Sequence, residues 1–322
     1  MQKILVTGGA GFIGSHTCEK LLKEGYSVVC VDNLNDYYDP EIKKQNIDEL
    51  SKYDNFKFHK VDTTNYEELE KVFKESRPET IIHLAARAGV RPSISDPLLY
   101  SKVNILGTQN MLELSRIYKI ENFVFASSSS VYGNSKDIPF KETANVDKPI
   151  SPYAATKKAG ELLCSTYHHL FKIPITCLRF FTVYGPKGRP DMAPYLFTDA
   201  IYKGREIQKF GDGSTRRDYT YISDIVQGVI AAAKKKLPFE ILNLGNHQTV
   251  SLNEFIETIE EIVGKKAIIK EVSKKQGDVD VTYADITKAQ NLLGYKPTTN
   301  IADGMKKFFD WYLNNNADAK KD

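Results

Sequence analysis

The stretch "VTGGAGFIGS" at residues 6–15 sits between the apolar run "KILVTG" (3–8) and a helical pattern over 12–24. Two glycine spacings overlap in it: Gly9, Gly11 and Gly14 fit G-x-G-x-x-G, and Gly8, Gly11 and Gly14 fit G-x-x-G-x-x-G. Either spacing alone is weak. Between a strand and a helix it gains meaning, because a tight glycine turn lets backbone N–H groups approach a pyrophosphate at the positive end of the helix dipole. The next apolar run, "SVVCVD" at 27–32, closes on Asp32, 18 residues beyond Gly14. An acid there accepts hydrogen bonds from both ribose hydroxyls and repels a 2′-phosphate. The expected cofactor is therefore NAD and not NADP, held by Gly8, Gly11, Phe12, Ile13, Gly14 and Asp32.

Outward from that turn, β-branched runs recur: "FKFHKVD" (56–62), "TIIHLA" (80–85), "NFVFASSS" (122–129) and "PITCLRF" (174–180). Segments with helical spacing, such as 97–119, lie between them and are long enough for crossovers. Strand and helix in alternation predict an α/β fold with a doubly wound parallel sheet covered on both faces. After about residue 180 the rhythm breaks into "YGPKGRPDM" and "FGDGSTRRD" and then a more charged stretch. We expect a nucleotide-binding domain over 1–180, rejoined by part of 217–247, and a smaller α/β domain over 181–322 that mainly holds substrate.

Composition narrows the class. Lys and Arg number 44 against 41 Asp and Glu, a balance that argues against nucleic acid or an anionic membrane as partner. Cys18, Cys30, Cys164 and Cys177 are scattered without C-x-x-C spacing, as expected of reduced thiols in the cytoplasm. His168 and His169 are adjacent and have no acidic or thiol partner at metal-ligand spacing, so no metal is expected. The N-terminus enters a strand pattern at once and no run is apolar enough to span a bilayer, which predicts a cytoplasmic chain without a leader.

A second constellation is "SPYAATK" at 151–157. Ser151 can cap a helix whose first residue is Pro152, which sets Tyr153 and Lys157 four apart on one face. Tyr53 with Lys57 and Tyr132 with Lys136 share the spacing but lie in turn-forming sequence. An ammonium beside a phenol stabilises phenolate and should lower the tyrosine pKa, making it a base near neutral pH. "ASSSSVYG" places Ser127 to Ser130 at the C-terminal end of a predicted strand, the edge where doubly wound sheets bind ligands.

Together "TGGAGFIGS", "SSSSVYG" and "SPYAATK" resemble the extended short-chain dehydrogenase/reductases, in order over almost the whole chain. Within that superfamily "DNLNDYYDP", "LAARAGVRPSISDP", "RFFTVYGPKGRPDMAPYLF" and "RRDYTYISD" are most similar to the UDP-glucuronate 4-epimerases among nucleotide-sugar 4-epimerases. The resemblance implies Tyr153 as base and Lys157 as its electrostatic partner, with a serine assisting through a hydrogen bond to the reacting hydroxyl. Ser128 aligns for that role, and Ser130, two residues on in a strand, is its rival. The implied reaction oxidises C4 of a UDP-sugar, turns the 4-keto sugar over and reduces its other face, with NAD regenerated each cycle.

Further NAD contacts implied by the resemblance are Asp62, Leu84, Ala85 and Ala86, and Lys157 on the nicotinamide ribose. For the UDP-sugar it implies Arg217 on the diphosphate, Asp278 near the uridine ribose, and Arg91, Ser129, Thr182 and Arg189 around the sugar. A hydroxyl and a guanidinium near C6 suit a carboxylate, and an unpaired Arg189 should discriminate against a neutral CH₂OH. The resemblance also implies a homodimer built from helices at 97–119 and 152–172. Dehydratases and decarboxylases of this kind carry acids before "VYG", where this chain has Ser129 and Ser130. The alternatives are epimerisation of UDP-glucose or UDP-N-acetylglucosamine, or a nucleotide-binding scaffold that has lost turnover.

Overall fold

A computed structural model describes residues 2–273 and 279–315. Seven parallel strands form the central sheet: β1 (Lys3–Thr7), β2 (Ser27–Asp32), β3 (Phe56–Lys60), β4 (Thr80–His83), β5 (Asn122–Ser128), β6 (Ile175–Phe180) and β7 (Phe239–Leu244). Their spatial order is β7-β6-β5-β4-β1-β2-β3, so the winding direction reverses between β1 and β4. In such sheets a crevice opens at that reversal, beyond the carboxyl ends of the strands.

The strands read as continuous apolar runs because both faces are covered. Successive side chains alternate sides: Ile4 and Val6 join Val28, Cys30, Ile82, Val124 and Leu178 in one core, while Leu5 joins Val29, Val31, Ile81, Phe123 and Ile175 in the other. Leu21 of helix Phe12–Lys23 and Ile225 and Val229 of helix Ile222–Lys235 close the first face. Leu69 of helix Tyr66–Ser76, Met111 of helix Gly107–Ile117 and Cys164 of helix Pro152–Phe171 close the second. Truncating Leu5, which is wholly buried, to alanine would cost roughly 2–5 kcal/mol.

The single helix expected over 97–119 is broken into Pro97–Ser101, a π-helical turn Lys102–Leu106, and Gly107–Ile117. The cause is close approach and a buried amide. A Cβ on Gly107 would lie 2.7 Å from Thr63 Oγ1. In the wide turn, Asn104 accepts from Arg87 N (2.8 Å) and donates to Arg87 O (2.9 Å) and Thr156 Oγ1 (3.0 Å). A π-turn often marks a functional position, and this one fixes the loop after β4 to the helix that carries Tyr153.

Beyond β6 the chain makes short two-stranded pairs: Thr182–Tyr184 with Tyr219–Tyr221, Arg216–Arg217 with Val250–Ser251, and Glu206–Phe210 with Ile268–Val272. Helices Ala193–Tyr202, Leu252–Val263 and Ile301–Asn315 pack with them. Between Tyr219–Tyr221 and Val250–Ser251 the chain returns to the sheet as helix Ile222–Lys235 and β7, which pairs with β6 from Phe239↔Ile175 to Leu244↔Phe180. Among the described residues no helix is long and apolar enough to cross a membrane.

Candidate active site

The glycine turn leaves β1 and enters helix Phe12–Lys23, and at Gly8 and Gly14 neighbouring backbone leaves room for nothing larger than hydrogen. Gly8 has φ +70°, and a Cβ there would lie 2.7 Å from Ala85 N; a Cβ on Gly14 would lie 2.0 Å from Gly8 O. Gly8, Gly11 and Gly14 line a cavity of about 590 Å³, whereas Gly9 packs against the sulfurs of Cys18 and Cys30, so the first-and-second-glycine ambiguity resolves in favour of Gly8. Gly11 gives the helix no side-chain cap, so its first N–H groups face the turn without a side-chain acceptor, a donor set that suits an anion.

Asp32 ends β2 on the wall of the same cavity, accepting from Ala10 N (3.2 Å) and Leu34 N (2.9 Å), one bond on each oxygen. Burial pushes its carboxyl upward, opposed by those N–H donors and by Lys43. Asp62, two residues past β3, accepts from Thr64 N, Thr64 Oγ1 and Asn33 Nδ2, which hold it below the usual carboxylate range against burial. Leu84, Ala85 and Ala86 follow β4 and line the cavity with Phe12 and Ile13. This arrangement fits a dinucleotide.

Ser151 caps helix Pro152–Phe171 through a bond from Ala154 N (3.1 Å), with Pro152 opening the helix. Of the three tyrosine–lysine spacings only Tyr153 with Lys157 lies on a helix; Tyr132 sits in a 3₁₀ turn and donates instead to Asn243 Oδ1 (2.7 Å). Lys157 Nζ is buried, donates to Ala126 O at 2.7 Å and stands 5.9 Å from the Tyr153 ring centroid. Burial lowers its pKa to about 8.

The electrostatics of Tyr153 differ from the sequence expectation. Its pKa is raised, not lowered, because burial outweighs the Ser128 hydroxyl and the Arg189 guanidinium, which pull it down. Tyr100 packs edge-on against it at 6.2 Å. Ser128 is the last residue of β5, and its hydroxyl lowers the Tyr153 pKa; its Oγ donates to Ser130 Oγ at 3.1 Å. The expectation that Ser130 continues the strand fails, since the chain turns into a 3₁₀ helix at Ser129–Tyr132, capped by the Ser128 side chain. Ser128, Ser129 and Ser130 all line the cavity.

Below this floor is a support that sequence reasoning missed. Ser127 Oγ donates to Glu161 Oε1 (2.6 Å), and Glu161 receives a bidentate pair from Arg179 at 2.8 and 2.9 Å. Both charges are out of solvent and together fix the ends of β5 and β6.

Thr182, Arg91 and Arg189 line the far wall, with Arg91 stacked over Phe210 at 4.7 Å. Arg189 is not unpaired: Nε donates to Asp191 Oδ1 (2.9 Å), Nη2 to Asp191 Oδ2 (2.5 Å) and to Tyr37 Oη (3.3 Å), and the guanidinium lies 4.9 Å over the Tyr37 ring. A turn closed by Met192 N on Arg189 O, with Pro190 inside it, creates the pair locally. Tyr37, Arg87 and Asp191 are further lining residues that sequence reasoning misses, although each lies in a stretch that carries the family resemblance. Arg217 is not among the lining residues; its Nη1 donates to Arg216 O (2.9 Å) and Asp280 O (3.3 Å). Asp278 lies outside the described residues.

A family model described as GDP-mannose 4,6 dehydratase matches residues 5–308. The chain belongs to that family, within the extended short-chain dehydrogenase/reductases. A relative in it, the UDP-glucuronate 4-epimerase of Thermodesulfobacterium geofontis, is 48% identical over 316 residues, covering 98% of this chain and 97% of its own. The crystal structure of a Bacillus cereus UDP-glucuronic acid 4-epimerase in complex with UDP-glucuronic acid and NAD superposes with TM-score 0.92 at 39% identity, covering 97% of this chain and 99% of that one. The UDP-glucose 4-epimerase of Thermotoga maritima, with UDP-glucose, superposes at TM-score 0.90 with 33% identity, over 97% of this chain and 99% of that one. Family members thus share one scaffold across acidic and neutral sugars, which places the burden of specificity on the cavity wall.

Proposed function

We propose that the chain is an NAD-dependent isomerase that inverts C4 of a UDP-sugar, converting UDP-glucuronate to UDP-galacturonate. One observation carries the reading: a glycine turn and Asp32, a Tyr153–Ser128 pair and the Arg189 guanidinium share one cavity. Bound NAD supplies the hydride acceptor and donor. Asp32 keeps free lone pairs for the adenosine ribose, Asp62 faces the adenine, and Leu84, Ala85 and Ala86 contact the cofactor from the end of β4. Tyr153 takes the proton of the C4 hydroxyl and returns one from the same position, Ser128 orients that hydroxyl, and Lys157 holds the cofactor's second ribose. Thr182, Ser129, Ser130, Arg91 and Arg189 surround the sugar, and Arg217 and Asp278 are assigned to the UDP moiety by family resemblance.

The acids among the described lining residues are Asp32, Asp62 and Asp191. None stands at Ser129 or Ser130, so the general acid that elimination across C5 and C6 requires is missing there despite the family's description. Epimerisation is favoured over dehydration for that reason. A neutral UDP-hexose is the second reading, supported by one contact: Asp191 already satisfies Arg189.

We also assign the cofactor to residues 1–180 with β7, and the UDP-sugar mainly to 181–322. Exposed Leu98, Leu106, Leu162, Leu170 and Phe171 support a homodimer through their two helical stretches, and four free, buried cysteines support a cytoplasmic setting. The test of the catalytic assignment is Tyr153→Phe, which keeps the ring and removes the ionisable oxygen. Turnover should fall by about two to four orders of magnitude with NAD still bound. Near-normal turnover would remove Tyr153 from the mechanism.

A further inference from the structure

Arg189 and Asp191 form a fork-to-fork pair on the cavity wall, one turn of chain apart. The arginine side chain is 17% exposed and the aspartate 41%, so the guanidinium is already largely desolvated while its partner still reaches water. A sugar carboxylate arriving at Arg189 therefore does not meet a bare cation. It meets one whose best edge, Nε and Nη2, is occupied by a carboxylate of the same geometry. Exchanging one carboxylate for another leaves the charge on the guanidinium compensated throughout, and the displaced Asp191 has solvent to receive it.

Resting on the uronate reading above, we propose that Asp191 is a tethered stand-in for the substrate carboxylate, occupying Arg189 before binding and re-occupying it whenever the sugar lets go. The tether matters because two residues of spacing keep the aspartate at high effective concentration. Such a competitor weakens the grip on C6. It also stabilises the moment when that grip is broken, which the reaction requires because the keto sugar must turn over before hydride returns. Tyr37, stacked on the same guanidinium and anchored by its hydroxyl to Ala88 O at 2.7 Å, keeps Arg189 in place while its partners exchange. Asp191 is thus a positioning residue that acts through Arg189.

The experiment measures binding of UDP-glucuronate and UDP-glucose to the NAD-loaded protein by calorimetry, with kcat and KM for each, in wild type, Asp191→Asn and Asp191→Glu. Asp191→Asn removes the competing charge and keeps the shape. It should tighten UDP-glucuronate by about fivefold, intermediate between exposed and buried charge pairs, and leave UDP-glucose within about twofold. Its kcat on the uronate should fall, because release of the carboxylate becomes slow. Asp191→Glu should restore wild-type affinity. If Asp191→Asn weakens both sugars alike, the pair is a structural strut and the proposal is overturned; unchanged uronate affinity overturns it too. In either case a wild type that still converts UDP-glucuronate leaves the functional reading standing. A wild type that neither binds nor converts the uronate overturns both.

Discussion

Replacing Lys157 with methionine should stabilise the fold while it removes activity. The ammonium is buried beneath Tyr153 against the Phe125 ring, and burial moves its pKa from 10.5 to about 8. At neutral pH the folded protein therefore carries a charge that the unfolded chain holds more comfortably in water. The interval between those two values corresponds to about 3 kcal/mol at roughly 1.4 kcal/mol per tenfold change. Methionine packs the same stem but forfeits the bond to Ala126 O, which returns about 1 kcal/mol of that gain. The variant should be more stable by about 2 kcal/mol at pH 7. A folded pKa below the unfolded one means that the unfolded chain binds more protons between about pH 8 and about pH 10.5, so wild type gains stability through that window. The advantage of the variant should vanish by its upper end. Urea unfolding of nucleotide-stripped protein at neutral and alkaline pH reads both values, and turnover should drop by roughly 10²- to 10⁴-fold. A variant that is less stable at neutral pH, or a stability gap that does not change with pH, would refute the account of Lys157.

Two predictions concern the other ends of the cavity. Asp32→Ser should weaken NAD by about 10- to 100-fold and narrow its advantage over NADP, measured by equilibrium binding; NADP as the preferred nucleotide of wild type would show that Asp32 does not face the ribose. Arg189 lowers the pKa of Tyr153 by its charge, so Arg189→Leu should move the acid limb of the kcat/KM profile to higher pH, and a limb that stays put or moves to lower pH would sever that link.

What could be read from the sequence was whatever is written in short-range spacing. The glycine turn and the acid at Asp32 belong to one strand-helix-strand unit, and Ser151, Pro152, Tyr153 and Lys157 to one helix and its cap, so neighbours along the chain sufficed. The π-turn at Lys102–Leu106 is invisible in the sequence because its partners, Arg87 and Thr156 on Asn104 and Thr63 against Gly107, come from distant segments. Tyr37 reaches Arg189 across 152 residues, and Glu161 meets Arg179 from a neighbouring element, contacts that no periodicity encodes. Asp191 is different, because two residues of spacing from Arg189 are enough to make it readable as a partner. The direction of the Tyr153 shift is not legible in the sequence, because spacing reports proximity to an ammonium but not the depth of burial that overrides it.

The most direct test of the central claim is a single incubation series. Wild-type protein is given UDP-glucuronate, UDP-glucose and UDP-N-acetylglucosamine in parallel, and the products are separated by anion-exchange chromatography. UDP-galacturonate should form from the uronate at least about tenfold faster than UDP-galactose from UDP-glucose, with almost no pentose. Faster conversion of either neutral sugar would contradict the role of Arg189. Accumulation of UDP-xylose or of a 4-keto-6-deoxy sugar would contradict the claim that a site without an acid at Ser129 and Ser130 confines the chemistry to inversion at C4.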